Sequence, residues 1–194
     1  MLLRKLIFTL ILLFGAVFGL NAQHVGIKSN LLTDAALSPN VGVEVGLSPK
    51  WTLDIPFEFN FWTVNRHKWK HWFLQPEARY WFCERFAGHF IGFHAIGGEY
   101  NFGNITNHFK FLNNDFSRLT GHRVQGWGAG AGFSYGYAWI LSDHWNIEAE
   151  LGVGWIYTNY DVYPCAECGT KLESNRVHNY VGPTKLAVAL EYLF

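Results

Sequence analysis

Polar and apolar residues alternate with a period of two along most of this chain. The clearest case is WTLDIPFEFNF at residues 51–61, where every odd position is apolar and every even position except Pro56 is polar. A period of two places successive side chains on opposite faces of a β-strand. The segment is therefore predicted to be a strand with one apolar and one polar face.

The same alternation recurs in eight segments that are separated by turn residues. They lie near residues 25–36, 40–47, 51–61, 71–83, 89–101, 126–139, 144–157 and 185–194. Either set of alternate positions can be the apolar face of the fifth, and no stretch of helical periodicity interrupts the series. An even number of long amphipathic strands predicts an all-β fold, an eight-stranded antiparallel up-and-down β-barrel.

The volume of the apolar side chains decides which face of the barrel points inward. Side chains just fill the interior of an eight-stranded barrel, and the rings of the third, sixth and seventh segments exceed that space. The sixth segment, GWGAGAGFSYGYAW, carries glycine at most of its other positions, which leaves room for longer side chains from elsewhere. The apolar face is therefore predicted to point outward into lipid, which makes the fold a transmembrane β-barrel.

Aromatic residues concentrate near the segment ends, as in the belts that mark the two membrane–water interfaces. The predicted girdle consists of Trp51, Trp72, Trp127, Trp139, Trp145, Tyr192 and Phe194. Connection lengths agree, because membrane barrels have short periplasmic turns and longer outer loops. The short turns are 48–50, 84–88 and 141–143, and the outer connections are 37–39, 63–70, 102–123 and 161–182.

Two prolines conflict with this scheme, because proline donates no hydrogen bond to a strand ladder. Pro56 and Pro76 fall inside the third and fourth segments, which are hairpin partners. A bulge or a missing bond is predicted where the two meet.

The N-terminus predicts export. Residues 1–22 combine Arg4 and Lys5, an apolar core at 6–20 and a small residue, Ala22, before the cleavage point, which is the pattern of a cleaved signal peptide. A retained membrane anchor would need about 20 apolar residues. The mature barrel domain is therefore predicted to comprise residues 23–194.

Overall charge excludes a nucleic-acid partner, because 15 basic residues balance 15 acidic ones and no basic stripe is present. Charged residues fall on the inward face instead. The predicted lumen charge network consists of Asp54, Glu58, Glu77, Arg79, Glu148, Glu150 and Lys185, and Lys28, Asp34, Glu44 and Glu191 also face inward. Paired carboxylates could perform acid–base chemistry, but charges away from water must pair. A filled lumen leaves substrate no access, so a hydrogen-bonded plug is predicted.

The CAEC motif, Cys165–Cys168, falls in the last outer connection. An exported compartment favours a disulfide between the two, whereas zinc needs about four ligands and only Glu167 and His178 are near. No metal site is predicted, and free thiols remain the other alternative. Cys83, at the opposite end of the barrel, is expected to be unpaired.

The segment NRHKWKHW places Arg66, Lys68 and Lys70 beside two tryptophans. Cations just outside an aromatic girdle can contact lipopolysaccharide phosphates, and an ordinary solvated loop is the equal alternative. A barrel enzyme would need a serine, a histidine and a carboxylate that converge near the rim. Ser134, His94 and His144 form no recognisable motif, so neither an enzyme nor a cofactor is predicted.

Several stretches resemble a family of small exported β-barrels known only as a domain of unknown function, grouped with OmpA/OmpX-type barrels. They are IKSNLLTDAALSPNVGVEVGL, KWTLDI, WKHWFLQPEARYWF and GHFIGFHAIGGEYNFG, and the terminal LEYLF resembles the signal that the barrel assembly machinery reads. The resemblance implies the outer membrane of a Gram-negative bacterium, in contact with lipid and lipopolysaccharide. Some relatives accompany fimbria components, which implies surface-appendage or envelope partners. The expected function is a non-enzymatic barrel with a plugged polar lumen that acts through its outer loops in structure, adhesion or surface assembly. A lipid A-modifying enzyme and a small pore are the alternatives.

Overall fold

The computed structural model describes residues 25–64, 67–104, 110–111, 114–115, 121–165 and 167–194. The predicted signal peptide, residues 1–22, lies outside the described residues, as does Arg66. Among the described residues, no helix has the length and apolar character needed to cross a membrane.

Strands dominate the described chain. In order they are β1 (Val25–Asn30), α1 (Leu31–Ala35), β2 (Asn40–Ser48), β3 (Trp51–Asn60), β4 (Thr63–Val64), β5 (His67–Leu74), β6 (Glu77–Trp81), β7 (Gly88–Gly103), β8 (Lys110–Phe111), β9 (Asn114–Asp115), β10 (Arg123–Ile140), β11 (Trp145–Tyr163) and β12 (Glu173–Leu193).

The long strands form a closed ring with eight positions, all of them antiparallel to their neighbours. The order around the ring is β1, β2, β3, β5 with β6, β7, β10, β11 and β12, and β12 pairs with β1 to close it. β5 and β6 together occupy one position of the ring, one after the other, because both pair with β3 and with β7. The predictions of an all-β fold and of eight antiparallel strands joined in sequence order are confirmed. We call the end with the turns at 49–50, 82–87 and 141–144 the lower end, and the opposite end the upper end.

Proline interrupts the fourth position of the ring, as predicted. β5 ends at Leu74 and β6 begins at Glu77. The gap is bridged by single hydrogen bonds from Gln75 N to Pro56 O (3.1 Å) and from Ala95 N to Pro76 O (2.9 Å). A second irregularity lies in β12, where the register shifts between Lys185 and Pro183.

The first strand is shorter than its sequence suggests, and the prediction that it continues to residue 36 without a helix is wrong. β1 ends at Asn30, whose side chain accepts a hydrogen bond from Leu32 N and caps the helix α1. An asparagine at this position satisfies a helix N-terminus better than it continues a ladder.

The predicted outer connection at 161–182 is wrong over most of its length. β11 continues to Tyr163 and β12 already begins at Glu173. These extensions carry polar residues on both faces, so the period-two pattern that marks the lower parts of both strands is missing from them. Backbone pairing with neighbouring strands defines them instead.

Large apolar side chains cover the outside of the ring, and charged side chains occupy its inside. Phe133 is 67% exposed and Val153 is 56% exposed, whereas Arg79 is 1% exposed. The fifth position, which the sequence left open, buries Phe90 and His94 inside the ring.

Candidate functional site

Nine charged side chains are buried together inside the ring, and we call this cluster the plug. Its members are Lys28, Glu44, Asp54, Glu77, Arg79, Glu148, Glu150, Lys185 and Glu191. They come from β1, β2, β3, β6, β11 and β12. The plug therefore ties together strands from six of the eight positions of the ring.

Arg79 lies at the centre of the plug and contacts five carboxylates. Its guanidinium nitrogens lie 2.6 Å from Glu44, 2.7 Å from Glu77, 3.1 Å from Glu148, 2.7 Å from Glu150 and 3.0 Å from Asp54. The face of the guanidinium rests on the ring of Phe90, 4.5 Å from its centroid. Such charge-assisted, multidentate contacts are the strongest that an arginine makes.

Two lysines form further ion pairs with these carboxylates. Lys185 Nζ lies 2.8 Å from Glu77 Oε2 and 3.1 Å from Glu150 Oε2. Lys28 Nζ contacts Glu44 and lies 3.1 Å from Glu148 Oε2. The structure thus brings together six of the seven residues of the predicted lumen charge network.

Glu58 is the member of that network that the structure does not bring in. Its Oε1 lies 2.9 Å from His71 Nε2, and its side chain is 28% exposed. Asp34, which was also expected to face the lumen, lies exposed within α1 and accepts a hydrogen bond from Ser29 Oγ (2.6 Å). In their place the plug holds Lys28, Glu44 and Glu191. Periodicity indicates that these three face inward but not which cross-ring contacts they make.

Glycines make room for the plug. A Cβ at Gly92 would overlap the Glu77 carboxylate and Ser134 Oγ, and a Cβ at Gly42 would lie 2.9 Å from Lys28 Cγ. Glycine on the inner face therefore marks the close approach of long side chains from other strands.

A polar layer covers part of the upper surface of the plug. Gln75 Nε2 donates a hydrogen bond to Thr184 O (3.1 Å), and His94 Nε2 lies 2.9 Å from Thr184 Oγ1. His94 Nδ1 lies 3.6 Å from Glu77 Oε2, beyond hydrogen-bond length. Among the enzyme candidates, Ser134 is buried near this layer, whereas His144 lies at the lower end beside Tyr192. The three candidates do not converge.

A cavity of about 790 Å³ lies above this layer. The charged groups of the plug form its floor, and its walls are largely apolar and aromatic, with Phe73, Ile96, Tyr100, Ile156 and Tyr180 among them. Side chains were expected to fill the lumen over its whole length, and the structure differs in the upper half. The reason is that β7, β10, β11 and β12 continue well above the plug.

The lower end of the lumen is sealed by packed rings. Trp81 and Phe90 are fully buried with ring centroids 4.7 Å apart, and Phe86 from the turn at 82–87 packs against Trp81. Asn146 Nδ2 fixes that turn by donating a hydrogen bond to Phe86 O (2.7 Å). The lumen is therefore blocked first by this apolar seal and then by the plug.

The residues of the predicted aromatic girdle all lie on the outside of the ring in two groups. Trp51, Trp139, Trp145, Tyr192 and Phe194 surround the lower end, with Trp145 and Tyr192 ring centroids 5.1 Å apart. Trp72 and Trp127 lie in the upper half, where both are paired in the ladder with Glu99 of β7.

Two of the predicted lipopolysaccharide contacts, Lys68 and Lys70, lie in the upper part of β5. They pair in the ladder with Gly103 and Asn101 of β7, and both are half-buried. Arg66 is outside the described residues.

A disulfide joins Cys165 and Cys168, with Cα atoms 5.2 Å apart, and Cys83 is an exposed free cysteine. Arg123 holds this tip to the ring by donating a hydrogen bond to Cys168 O (3.0 Å). Nearby, Lys171 donates a hydrogen bond to Asp161, with 2.7 Å between Nζ and Oδ2. This contact lowers the pKa of Asp161 and raises the pKa of Lys171. The hydrogen-bonded ion pair favours the charged form of each partner.

Three carboxylates within the plug have the spacing of a metal site. Glu44, Glu148 and Glu191 each offer an oxygen atom, these atoms lie within 4.8 Å of one another, and all three residues are buried. The sequence contains no motif for this group, because its members come from β2, β11 and β12.

These features define an all-β protein in which eight antiparallel strands enclose a charged plug beneath a cavity. The chain belongs to the family described as protein of unknown function (DUF3575), whose model matches residues 7–194. No curated protein and no solved structure matches it significantly.

Proposed function

We propose that this chain is an OmpA/OmpX-type transmembrane β-barrel of a Gram-negative outer membrane, exported through a cleaved signal peptide. The barrel has no enzymatic activity and acts through its upper cavity and the connections around it, as a structural, adhesion or surface-assembly component that can include fimbria-associated assembly. The observation that carries this proposal is the sealed lumen beneath a cavity that reaches the end with the long connections.

The outer surface supports insertion into lipid. Phe133 of β10 and Val181 and Leu186 of β12 are each more than 60% exposed on the outside of the ring. Monomeric soluble proteins rarely expose a continuous apolar surface of this extent. A closed ring also leaves no strand edge unsatisfied within the hydrocarbon region.

Connection lengths support the orientation. The lower end has short turns, whereas the upper end carries the connection from Asn104 to His122 and the hairpin tip between Tyr163 and Glu173. Short turns are periplasmic in outer-membrane barrels, so the cavity opens to the cell exterior in the proposed orientation.

Replacing residues 105–121 by a short Gly-Ser linker tests the function of the upper connections. Asn104 N donates a hydrogen bond to His122 O (3.1 Å), so the base of the connection is already closed and the ring should be retained. We expect the variant to lose crosslinks to neighbouring envelope or appendage proteins, with unchanged circular dichroism. The control replaces residues 142–143, in a turn at the lower end, by Gly-Ser, and it should keep the crosslinks. Crosslinks that persist in the 105–121 variant would overturn this part of the proposal.

The plug and the apolar seal argue against a pore. Purified protein in planar bilayers should therefore show no single-channel conductance. Regular conductance steps from the wild-type protein would establish the pore alternative instead.

One geometric feature favours an enzyme as the second candidate. Thr184 lines the cavity, and His94 and Glu77 follow it beneath the cavity wall, so that a hydroxyl, an imidazole and a carboxylate stand in the order found in nucleophilic catalysis. However, the His94–Glu77 distance is long, and Glu77 is bonded to Arg79 and Lys185. Mass spectra of lipid A from cells that lack the gene, carry it, or carry His94→Asn decide between the two. Identical spectra eliminate lipid A modification.

Lys68 and Lys70, together with Arg66, are proposed to contact lipopolysaccharide phosphates above Trp72. Phosphate recognition by such cations is electrostatic and weakens with salt. Binding of purified lipopolysaccharide to wild-type protein and to a Lys68→Gln/Lys70→Gln variant at two salt concentrations tests this. Equal binding would identify the segment as an ordinary solvated loop.

Tyr192 and Phe194 are proposed to form the signal that the barrel assembly machinery recognises. Both rings lie on the outer surface at the lower end, with centroids 5.0 Å apart. A Phe194→Ser variant should reach the envelope but assemble poorly. Normal assembly would contradict this assignment.

A further inference from the structure

Glu191 is the carboxylate of the plug whose charge is least compensated. It is 0% exposed, and neither of its side-chain oxygens accepts a hydrogen bond from any residue that the structure describes. Burying an ionised carboxylate without a partner is strongly unfavourable. A buried polar group of this kind points to a bound ion, water or proton.

Two further carboxylates face Glu191. Oxygen atoms of Glu44, Glu148 and Glu191 lie within 4.8 Å of one another. Ca²⁺ binds oxygen ligands at about 2.3–2.6 Å, so two ligands on opposite sides of the ion lie about 4.6–5.2 Å apart. The spacing of the three carboxylates is therefore that of oxygen ligands around one Ca²⁺ ion.

The charge of the plug favours binding of a further cation. With all six of its buried carboxylates ionised, the plug has an excess of three negative charges over Lys28, Arg79 and Lys185 among the described residues. Lys28 and Arg79 already contact Glu44 and Glu148. The uncompensated charge therefore remains on the side of Glu191.

Two neighbouring residues, Asn146 and Gly26, also shape the site. Asn146 is paired with Glu191 in the β11–β12 ladder, and its buried Oδ1 accepts no hydrogen bond from the described part of the chain. Amide oxygens are common Ca²⁺ ligands beside carboxylates. At Gly26, a Cβ would overlap Glu191 Oε1, so this glycine is what allows the carboxylate to lie where it does.

We propose that Glu44, Glu148 and Glu191 bind one divalent cation, Ca²⁺, inside the ring, with Asn146 Oδ1 as an additional oxygen ligand. The site takes Ca²⁺ rather than Mg²⁺ because Mg²⁺ keeps several of its waters, and residues with 0–1% exposure provide little space for them. The ion reduces the excess negative charge of the plug from three to one and links β2, β11 and β12.

The first test measures metal in the full mature chain. Protein folded in detergent is dialysed against 1 mM CaCl₂, or against chelator, and its calcium content is measured by plasma mass spectrometry. We expect one Ca²⁺ per chain, a melting temperature that rises with calcium, and tryptophan-sensitised Tb³⁺ luminescence. Trp81 provides the sensitiser, because it is linked through Thr52 to Glu44. Wild-type protein with no calcium and no luminescence would overturn the proposal and assign a proton to Glu191.

Two matched variants locate the ion. Glu191→Gln keeps the shape of the side chain, and we expect Ca²⁺ affinity to fall by at least ~100-fold, because even outer-shell changes cost 10–100-fold. Glu58→Gln is the control, because Glu58 faces the same lumen but lies outside the plug. Unchanged affinity in Glu191→Gln, or equal losses in both variants, would contradict the assignment. If Glu191→Gln does not fold, the wild-type stoichiometry still decides whether the site exists.

Discussion

The side chain of Gln75 reaches across the ring to the main chain of Thr184 on the opposite wall, where Nε2 lies 3.1 Å from the carbonyl oxygen. Both residues lie at irregular points, Gln75 in the gap between β5 and β6 and Thr184 at the register shift of β12. The two irregularities thus meet in one contact at the boundary between the plug and the cavity.

Gln75→Leu should lower the free energy of unfolding by about 1–3 kcal/mol, because it leaves the Thr184 carbonyl without a donor. Urea unfolding in detergent, followed by tryptophan fluorescence, measures the change. The control is Gln125→Leu, since Gln125 is exposed and its contact with Asn101 is 3.5 Å long. Equal effects of the two substitutions would show that the cross-ring contact is not stabilising.

Arg79→Met should be much more damaging. Removing the guanidinium leaves Glu77 and Glu150 without their shortest contacts and takes from Glu44 one of its two cations. Breaking a buried ion pair on one side costs about 3–5 kcal/mol. The same urea titration measures the loss. Lys171→Met, which removes a surface pair with Asp161, should change stability little. A small effect of Arg79→Met would mean that the plug is solvated rather than packed.

Gly136→Ala should destabilise the ring by about 1–3 kcal/mol through overpacking. A Cβ there would lie 2.7 Å from Phe90 Cε1 and 2.9 Å from Ala149 O, and Phe90 cannot move because it packs on Trp81 and Arg79. Gly97→Ala is the matched control in the neighbouring strand, with no atom within 4 Å of the added Cβ. Melting temperatures of the two variants make the comparison, and similar values would show that the inner glycines are not needed for packing.

Phe133→Lys tests lipid exposure of the outer face. In a bilayer a lysine near the midplane costs about 2–4 kcal/mol, and close to the interface about 0–1 kcal/mol. Phe133 lies at mid-height of the ring, beside Phe93. Val177 lies in the upper part of β12, and Val177→Lys is the control. Unfolding from lipid vesicles measures both. Equal, near-zero changes would contradict insertion of the ring into the membrane.

Thiol counting tests the cysteine assignment. The chain has three cysteines. Denatured, unreduced protein should take up one maleimide, at Cys83, and reduced protein should take up three, because Cys165 and Cys168 are joined. Mass spectrometry reads the number directly. Three labels without reduction would identify free thiols.

Much of the fold follows from the sequence because the two faces of each strand meet different surroundings. In the glycine-rich strand β10, Phe133 and Trp139 alternate with Gly132 and Ala138, and that alternation alone predicts which side chains point outward. The number of strands and their antiparallel order follow from the same signal. It fails above the plug, where β11 and β12 have polar residues on both faces and only backbone pairing defines them.

Tertiary structure alone decides the rest. Alternation indicates that Lys28, Glu44 and Glu191 face inward, but their partners lie on strands far apart in sequence, as the contact of Lys28 with Glu148 illustrates. Likewise, Asn30 ends the first strand because its side chain caps a helix, and Glu58 leaves the plug because His71 is close enough to bind it. A local pattern specifies which face a residue occupies. Closure of the ring, which sets the distances across the lumen, determines what that residue meets there.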